Sequence, residues 1–351
     1  MIYAWERGDH DLSERYELLY RALGLGDREH AEEPGHGGHG MPGRARLDTL
    51  LAGQLDELIR LLDDQWHFLV RTDNLLGPRH ALIGVRDQLT VIDALLRTVR
   101  PPARHHVLQL GARYAESAAW LHEDSGDLAG SRYWTGRSME LALEAGDRLM
   151  MSWVLYRRGE HAAADGDAAA AAGLAAVARR EGGDLQGPML AAIFQQEAHA
   201  HALDGAESAC LDTQDQVLER AASPDDPGDA SSGHGSFCTP AYVEMQRGRY
   251  WLLLGQPAKA RAALDGAVRT LPPVYRRDRG VALSALAAAH AAIGEPGEAA
   301  TAALQALEVA RDAGSERIVS MVIPVATALA RHRGIDAVAQ LQEALAEPPG
   351  A

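Results

Sequence analysis

The sequence predicts an all-α protein, an α-solenoid built of about seven antiparallel helix pairs. Three observations support this prediction: the chain is rich in alanine and poor in aromatic residues, short turns around glycine recur at a nearly constant interval, and small residues recur in register with those turns. Apolar residues make up 46% of the 351 residues and aromatic residues only 5%. Because alanine is the best helix former and leaves little bulk between helices, this composition favours close helix packing over a sheet core.

The recurring turns predict a repeat architecture. Their glycines are Gly126, Gly166, Gly205, Gly255, Gly294 and Gly334. The intervals between them are 40, 39, 50, 39 and 40 residues. The one long interval contains SPDDPGDASSGHGS at 223–236, whose composition is typical of a loop insertion. A regular interval of this length indicates that each unit packs against the next.

Small residues occupy three fixed positions relative to the turn glycines. Seven residues before, five residues after and twelve residues after the glycine, nearly every repeat has alanine, glycine, serine or another small residue. Two helices whose backbones approach closely need small side chains at the contact. Coincidence in an alanine-rich chain would account for one such position, but not comfortably for three.

The clearest repeat is GRYWLLLGQPAKA at 248–260, with Gly248, Trp251, Gly255 and Ala260 in register and Pro257 at the start of the second helix. This pattern resembles the tetratricopeptide repeat, and it implies antiparallel helix pairs stacked in a right-handed superhelix. The resemblance covers six repeats in 103–347. Their interval exceeds the about 34 residues of the standard repeat, which predicts longer helices. We expect the pairs at 104–145, 147–181, 187–222, 239–270, 275–313 and 315–346.

A further helix pair is predicted upstream, in residues 47–102. Residues 47–73 have leucines at helical spacing, and 80–99 form a second apolar-periodic segment that stops at Pro101 and Pro102. Terminal units of a repeat array are often atypical. We therefore expect a divergent pair that caps the array.

Residues 4–25 differ from the rest of the chain. One short amphipathic helix is predicted there from the spacing of Tyr16, Leu19, Tyr20 and Leu23. The segment also resembles the end of the Cro/repressor-type (XRE-like) helix-turn-helix domain, with matches at Trp5, Glu6, Gly8, Leu23 and Gly24; Leu12 stands where that family usually has proline.

This second resemblance implies a bacterial transcriptional regulator in which 1–26 is the remnant of a DNA-binding domain whose groove-facing helices would precede residue 1. An ordinary short helix is the alternative. The following residues, 27–46, are rich in glycine and predict a flexible linker. Binding to DNA is expected only through an upstream domain, since the net charge of −15 repels phosphate.

Composition excludes several classes of function. Lys259 is the single lysine, so the chain has no phosphate-binding P-loop. No catalytic motif is present, and we expect neither an enzyme nor a cofactor or metal. His36 and His39 lie in the glycine-rich segment, which cannot pre-organise metal ligands. No apolar run is long enough to span a membrane, and two cysteines fit a reducing compartment; we therefore expect a soluble cytoplasmic protein.

The tetratricopeptide resemblance also implies a binding groove, because the first helix of each pair lines the concave face of such arrays. Aromatic and arginine side chains, which dominate binding hot spots, are frequent at these positions in the first four repeats, although Trp153 and Tyr156 could instead pack between helices. The implied groove residues are Arg113, Glu116, Trp120, Trp153, Tyr156, Glu160, Gln195, His199, Tyr242, Met245 and Arg249.

The expected function is therefore regulation by binding. A peptide, a small-molecule effector or a partner protein would occupy the groove, and a homodimer is a further candidate assembly. The alternative is a protein–protein interaction scaffold with neither a small-molecule ligand nor a role at DNA.

Overall fold

The computed structural model describes residues 43–346 except 184, 224, 226–229 and 232, and it describes side chains from residue 54 onward. Within these residues the chain is all-helical and has no strand, which confirms the predicted fold class. A short 3-10 helix, Ala330–His332, precedes the last of the α-helices. The α-helices are α1 Gly43–Leu76, α2 Pro78–Thr98, α3 Ala103–Asp124, α4 Leu128–Ala145, α5 Arg148–Ala164, α6 Ala168–Gly182, α7 Gly187–Leu203, α8 Glu207–Leu218, α9 Pro240–Leu253, α10 Pro257–Thr270, α11 Arg276–Ala292, α12 Pro296–Ala313, α13 Glu316–Leu329 and α14 Asp336–Ala346.

The helix boundaries differ from the expected ones in two places. Helix α1 begins at Gly43, so the last four residues of the expected linker 27–46 are helical. Helix α8 ends at Leu218, four residues before the expected end of its pair. The expected helix-turn-helix remnant at 1–26 and the histidines His36 and His39 lie outside the described residues.

Local sequence signals explain where many helices begin. The carboxylates of Asp127, Asp147 and Asp167 accept hydrogen bonds from the backbone N–H groups three residues later, at 2.9 to 3.0 Å. Each therefore caps the start of a helix by satisfying an N–H group that has no partner within the helix. Prolines that open α9, α10 and α12 act differently, because their fixed φ suits the first helical turn.

The glycine period has a direct backbone cause. Five of the six turn glycines, all except Gly334, adopt φ between 70° and 83°. Residues with a Cβ are disfavoured in this left-handed region. The repeat in the sequence is therefore a repeat of one turn conformation.

The small-residue positions lie at helix contacts. Ala171, Ala260 and Ala299 are fully buried. At Gly248 the contact is closer still, because a Cβ there would come within 2.5 Å of Leu264 Cγ on the neighbouring helix. Larger side chains at these positions would force the paired helices apart.

The helices form an inner row and an outer row. Consecutive helices pack against each other, and each odd-numbered helix from α1 to α13 also contacts the next odd-numbered helix. The odd-numbered helices are therefore neighbours along one face of the array. This arrangement directs side chains from helices far apart in sequence toward the same inner space.

The two ends of the array meet. Helix α13 packs against α3, and α12 packs against α1. Arg277 at the start of α11 donates hydrogen bonds to Asp73 of α1, and Ser315 donates to Asp124 at the end of α3 at 2.7 Å. The inner space is thereby enclosed between the first and the last helices, whereas the sequence predicted an open concave groove. None of the helices described here has the length and apolar character that crossing a bilayer requires.

Candidate functional site

A cavity of about 220 Å³ lies inside this closed array. Its walls come mainly from α1, α3, α5, α9, α11 and α13, with Val85 of α2 and with Val274 and Tyr275 just before α11. The loop before α9 contributes residue 230 and residues 233–237. For comparison, an apolar cavity of ~150 Å³ is large enough to hold benzene. This central cavity therefore has room for a small organic ligand.

Aromatic side chains form much of the wall. The ring centroids of Trp153 and Tyr156 are 4.6 Å apart, and those of Phe237 and Tyr242 are 5.0 Å apart with the planes at 70°. Trp66 completes this side of the wall, and its indole nitrogen donates to Ser117 at 2.8 Å. Such rings offer large, rigid apolar surfaces together with polar edges.

The loop at 230–237, which the sequence predicts only as an insertion, is part of the wall. The imidazole of His234 stacks on Trp153, with centroids 4.9 Å apart and planes at 22°. Burial, with a smaller contribution from the positive charge of Arg113, lowers the pKa of His234 to about 4. His234 is therefore neutral at pH 7.

Gly235 fixes the position of this loop against α7. Its φ is 87°, and a Cβ there would lie 2.5 Å from the carbonyl oxygen of Pro188 and 2.8 Å from the Cα of Met189. A residue other than glycine would have to move the loop away from this contact. The loop thus covers the first turn of α7, the one odd-numbered helix between α1 and α13 that contributes nothing to the cavity wall.

A cluster of charges around Arg157 forms another side of the wall. The buried guanidinium donates to Glu160 and, at 2.8 Å, to Glu123, and its Nε lies 3.6 Å from Glu116. Burial raises the pKa of Glu123, but the charge of Arg157, the hydrogen bond with His161 and the charge of Arg317 together outweigh it, and the pKa falls to about 2. For Glu116 burial prevails over the attraction of Arg157, so its pKa is raised. One arginine therefore serves three carboxylates, and Glu116 is the least stabilised of them.

A second charged cluster joins the ends of the array. Arg277 pairs with Asp73 and, at 3.1 Å, with Asp124, and Arg317 Nε donates to Asp124 at 3.1 Å. Burial raises the pKa of Asp124, but the charges of Arg317 and Arg277 outweigh it and hold the pKa below its usual value. Asp124 therefore stays ionised in the interior.

Trp120 lies between the two clusters. Three guanidinium carbons are close to its ring centroid: Arg317 at 4.8 Å, Arg157 at 5.3 Å and Arg277 at 5.5 Å. Its indole nitrogen donates to Asp73 at 3.2 Å. The electron-rich face attracts the cations around it, so this ring links the wall from α5 to the contact between the two ends.

Asp278 is the exception among the charged wall residues. It follows Arg277 on α11, and its carboxylate forms no hydrogen bond or ion pair with any residue that the structure describes. Burial raises its pKa to about 6, although the charges of Arg317 and Arg277 oppose this shift. A desolvated carboxylate without a partner is costly when ionised.

The expected groove residues fall into two sets. Trp153 and Tyr156 are 4% and 3% exposed, and they pack against neighbouring rings and also line the cavity. Packing between helices and lining a binding site, the two roles considered for them, therefore both apply. The expected residues that lie in the cavity wall are Glu116, Trp120, Trp153, Tyr156, Glu160 and Tyr242.

The other five expected residues do not line this cavity. Gln195 Nε2 donates to the Tyr250 hydroxyl at 2.7 Å, and His199 stacks on Tyr250 at 5.2 Å, so both serve the contact between α7 and α9. Arg249 donates to a glutamine one turn earlier on α9, at 2.8 Å, and Met245 is buried in the core.

Arg113, the remaining member of this set, pairs with Asp63, and its guanidinium carbon lies 4.9 Å from the centroid of the Trp66 ring. Six of the seven first helices of the pairs contribute residues to the cavity wall. The repeat register could not show that, in the cavity wall, the loop at 230–237 takes the place of α7.

Several wall residues were not anticipated, above all Arg157, Arg277, Asp278, Arg317 and His234. In the last two repeats the positions equivalent to the expected groove residues include Val281 and Ser284, which are buried in the core, whereas the wall residues lie one turn earlier. The charged run RRDR at 276–279 is the one sequence signal that could have indicated them.

The arrangement offers binding groups rather than an activated nucleophile. No group of three or more histidine, cysteine or carboxylate side chains in the described part of the chain has the geometry of a metal site. Neither a protein-family model nor any curated protein matches this sequence.

Proposed function

We propose that this chain is a sensor that binds a small-molecule effector in its central cavity. The observation that carries the proposal is the cavity itself: it is concave, aromatic rings form much of its wall, and a few charged groups converge on it. A cavity with mostly apolar walls and a small number of placed polar groups is the usual form of a ligand site.

The closed array suggests how binding would be transmitted. The cavity wall combines residues of α1 and α3 with residues of α11 and α13, which meet through Arg277, Asp73 and Asp124. A ligand that contacts both ends has a different binding free energy for the closed and for the opened array. It therefore shifts the equilibrium between the two arrangements.

The finer architecture and the biological role are part of the same proposal. We take the helices as seven tetratricopeptide-like pairs of a right-handed superhelix, in a cytoplasmic transcriptional regulator. The glycine period and the helix contacts support the first point. The similarity of 4–25 to the end of a helix-turn-helix domain supports the second, and DNA would be contacted only through such a domain.

A partner-protein scaffold is the second candidate function, and one observation favours it. Leu61, Phe68 and Leu75 are spaced seven residues apart on α1, and all three are largely exposed, Phe68 to 67%. This spacing places them along one face of the helix. A partner protein or a second copy of the chain would bury this apolar row.

A thermal-shift screen tests the sensor proposal. We would screen a collection of small organic metabolites against the wild type and against the double variant Glu116→Gln/Tyr156→Phe, which keeps the shape of the wall. The matched control is Glu140→Gln/Tyr133→Phe, which makes the same two changes at exposed positions of α4. We expect hits that stabilise the wild type and the control but stabilise the cavity variant less.

Two outcomes of the screen would contradict the sensor proposal. If no compound shifts the melting temperature, or if the hits stabilise both double variants equally, the cavity is not a ligand site. If Phe68→Ala then abolishes binding of a copurifying protein, the scaffold function is favoured.

A further inference from the structure

The charges on the cavity wall are unequal. Five carboxylates line it, and they belong to Asp73, Glu116, Glu123, Glu160 and Asp278. Four guanidinium groups line it, and they belong to Arg157, Arg276, Arg277 and Arg317. The exposed Arg276 donates to the backbone carbonyls of Asn74 and Leu75, at 3.2 and 3.1 Å. Three guanidinium groups therefore remain for the interior, and carboxylates outnumber them.

These three guanidinium groups are already shared. Arg157 serves the glutamates of α3 and α5, and Arg277 serves Asp73 and Asp124. Arg317 donates to Asp124 as well. Arg157 Nε and Arg317 Nη2 are the guanidinium nitrogens of this group that are buried without a hydrogen-bond acceptor among the described residues. Each belongs to a guanidinium group whose charge is already balanced by a buried carboxylate, so an anionic ligand would compete with these ion pairs.

Asp278 has no such partner, and its surroundings suit a cation. Burial raises the pKa of the Tyr242 hydroxyl, and the negative charges of Glu160 and Asp278 add to this shift. The rings of Tyr156, Tyr242 and Phe237 line the same cavity. The face of an aromatic ring attracts a cation, and the attraction strengthens where water is excluded.

Two neutral polar groups of the wall also lack full partners among the described residues. The hydroxyl of Tyr242 accepts a hydrogen bond from Gln246 at 2.7 Å, and its own hydrogen has no acceptor among the described residues. The indole nitrogen of Trp153, a residue 4% exposed, is buried without an acceptor in good hydrogen-bonding geometry, although its contact with Glu116 lowers the pKa of that carboxyl. Buried donors are normally satisfied, so an oxygen atom on a bound ligand would meet them.

We propose that the cavity binds a small organic ammonium ion, an inference that rests on the proposed sensor function. The charged group of this ligand pairs with Asp278, and its apolar body lies against Tyr156, Tyr242 and Phe237. The volume of about 220 Å³ limits this ligand to a molecule somewhat larger than benzene. A single ring with a short aminoalkyl chain and one oxygen atom has this size and these groups.

Isothermal titration calorimetry with three matched probes tests the inference on the whole chain. Tyramine, tyrosol and para-hydroxyphenylacetate share a phenol ring and a short chain, and they end in a cationic, a neutral and an anionic group. At pH 7.5 we expect tyramine to bind at least tenfold more tightly than tyrosol, and we expect no measurable binding of the acid. Asp278→Asn should weaken tyramine binding at least tenfold and leave tyrosol unchanged.

The control is Asp312→Asn, which removes an exposed carboxylate of α12 outside the cavity and should leave tyramine binding unchanged. Equal binding of tyramine and tyrosol, stronger binding of the acid, or no effect of Asp278→Asn would each overturn the cationic assignment while leaving the cavity a ligand site. Binding by none of the three probes also overturns it. The proposed function fails if the thermal-shift screen finds no ligand, or if its hits stabilise both double variants equally.

Discussion

Replacing Arg277 with methionine should lower the free energy of unfolding by about 3–5 kcal/mol, the usual cost of removing one partner of a buried ion pair. Arg277 is 8% exposed, and it pairs with Asp73 and Asp124, which are 6% and 0% exposed. Methionine keeps the length of the apolar stem but cannot neutralise either carboxylate. Asp124 would retain Arg317 and Ser315, whereas Asp73 would retain only the indole N–H of Trp120, so Asp73 carries most of the cost.

Urea denaturation followed by circular dichroism would measure this loss, with Arg276→Met as the control. Arg276 is the preceding residue, but it is exposed and donates only to backbone carbonyls, so its replacement should cost about 1 kcal/mol or less. Adding Asp73→Asn to Arg277→Met should recover part of the loss, because an amide leaves no unpaired charge. Small-angle X-ray scattering of Arg277→Met should show a larger radius of gyration as the two ends separate.

Two results would refute this reasoning. The first is a loss for Arg277→Met no larger than that for Arg276→Met. The second is a double variant with Asp73→Asn that is no more stable than Arg277→Met alone. Either result would mean that the ends of the array are held by apolar packing, and that the charged cluster contributes little to closure.

Three further predictions concern the cavity wall. Burial raises the pKa of Asp278 from 3.8 to about 6, so its ionisation destabilises the fold above pH 6. Asp278→Asn should therefore stabilise the protein above pH 6 by up to about 3 kcal/mol. Urea titrations should show this gain disappearing as the pH falls from 6 toward 3.8. Gly235→Ala should destabilise the protein more than Gly233→Ala, since both glycines have positive φ but only at Gly235 would a Cβ collide with backbone; equal melting temperatures for the two variants would contradict the docking of the loop. Trp153→Ala should cost about 3–5 kcal/mol in urea denaturation, as expected for emptying a packed aromatic site, and a loss below about 1 kcal/mol would show that the ring is not packed as the structure has it.

The helical architecture could be predicted from the sequence because its determinants are local. The turn at Gly166 or Gly255 requires a left-handed φ, and that requirement recurs in the sequence wherever the turn recurs. Close contacts such as that of Gly248 with Leu264 require small residues at a fixed distance from the turn. The start of α10 could also be predicted, because the ring of Pro257 fits the first turn of a helix.

The repeat register also pointed to some residues of the cavity wall. Residues such as Trp120, Trp153 and Tyr242 lie on the first helices of their pairs, and the repeat sends those helices to the same inner face. This inference needs only the period of the repeat and the period of the helix.

Only the tertiary structure decided how the array closes and what the cavity wall contains. Arg277 meets Asp73, 204 residues away, because small rotations between successive helix pairs add up until the last helices reach the first. No local pattern encodes that sum. For the same reason the position of His234 on Trp153 and the lack of a partner for Asp278 were not visible in the sequence: each depends on which distant side chains share one enclosed space.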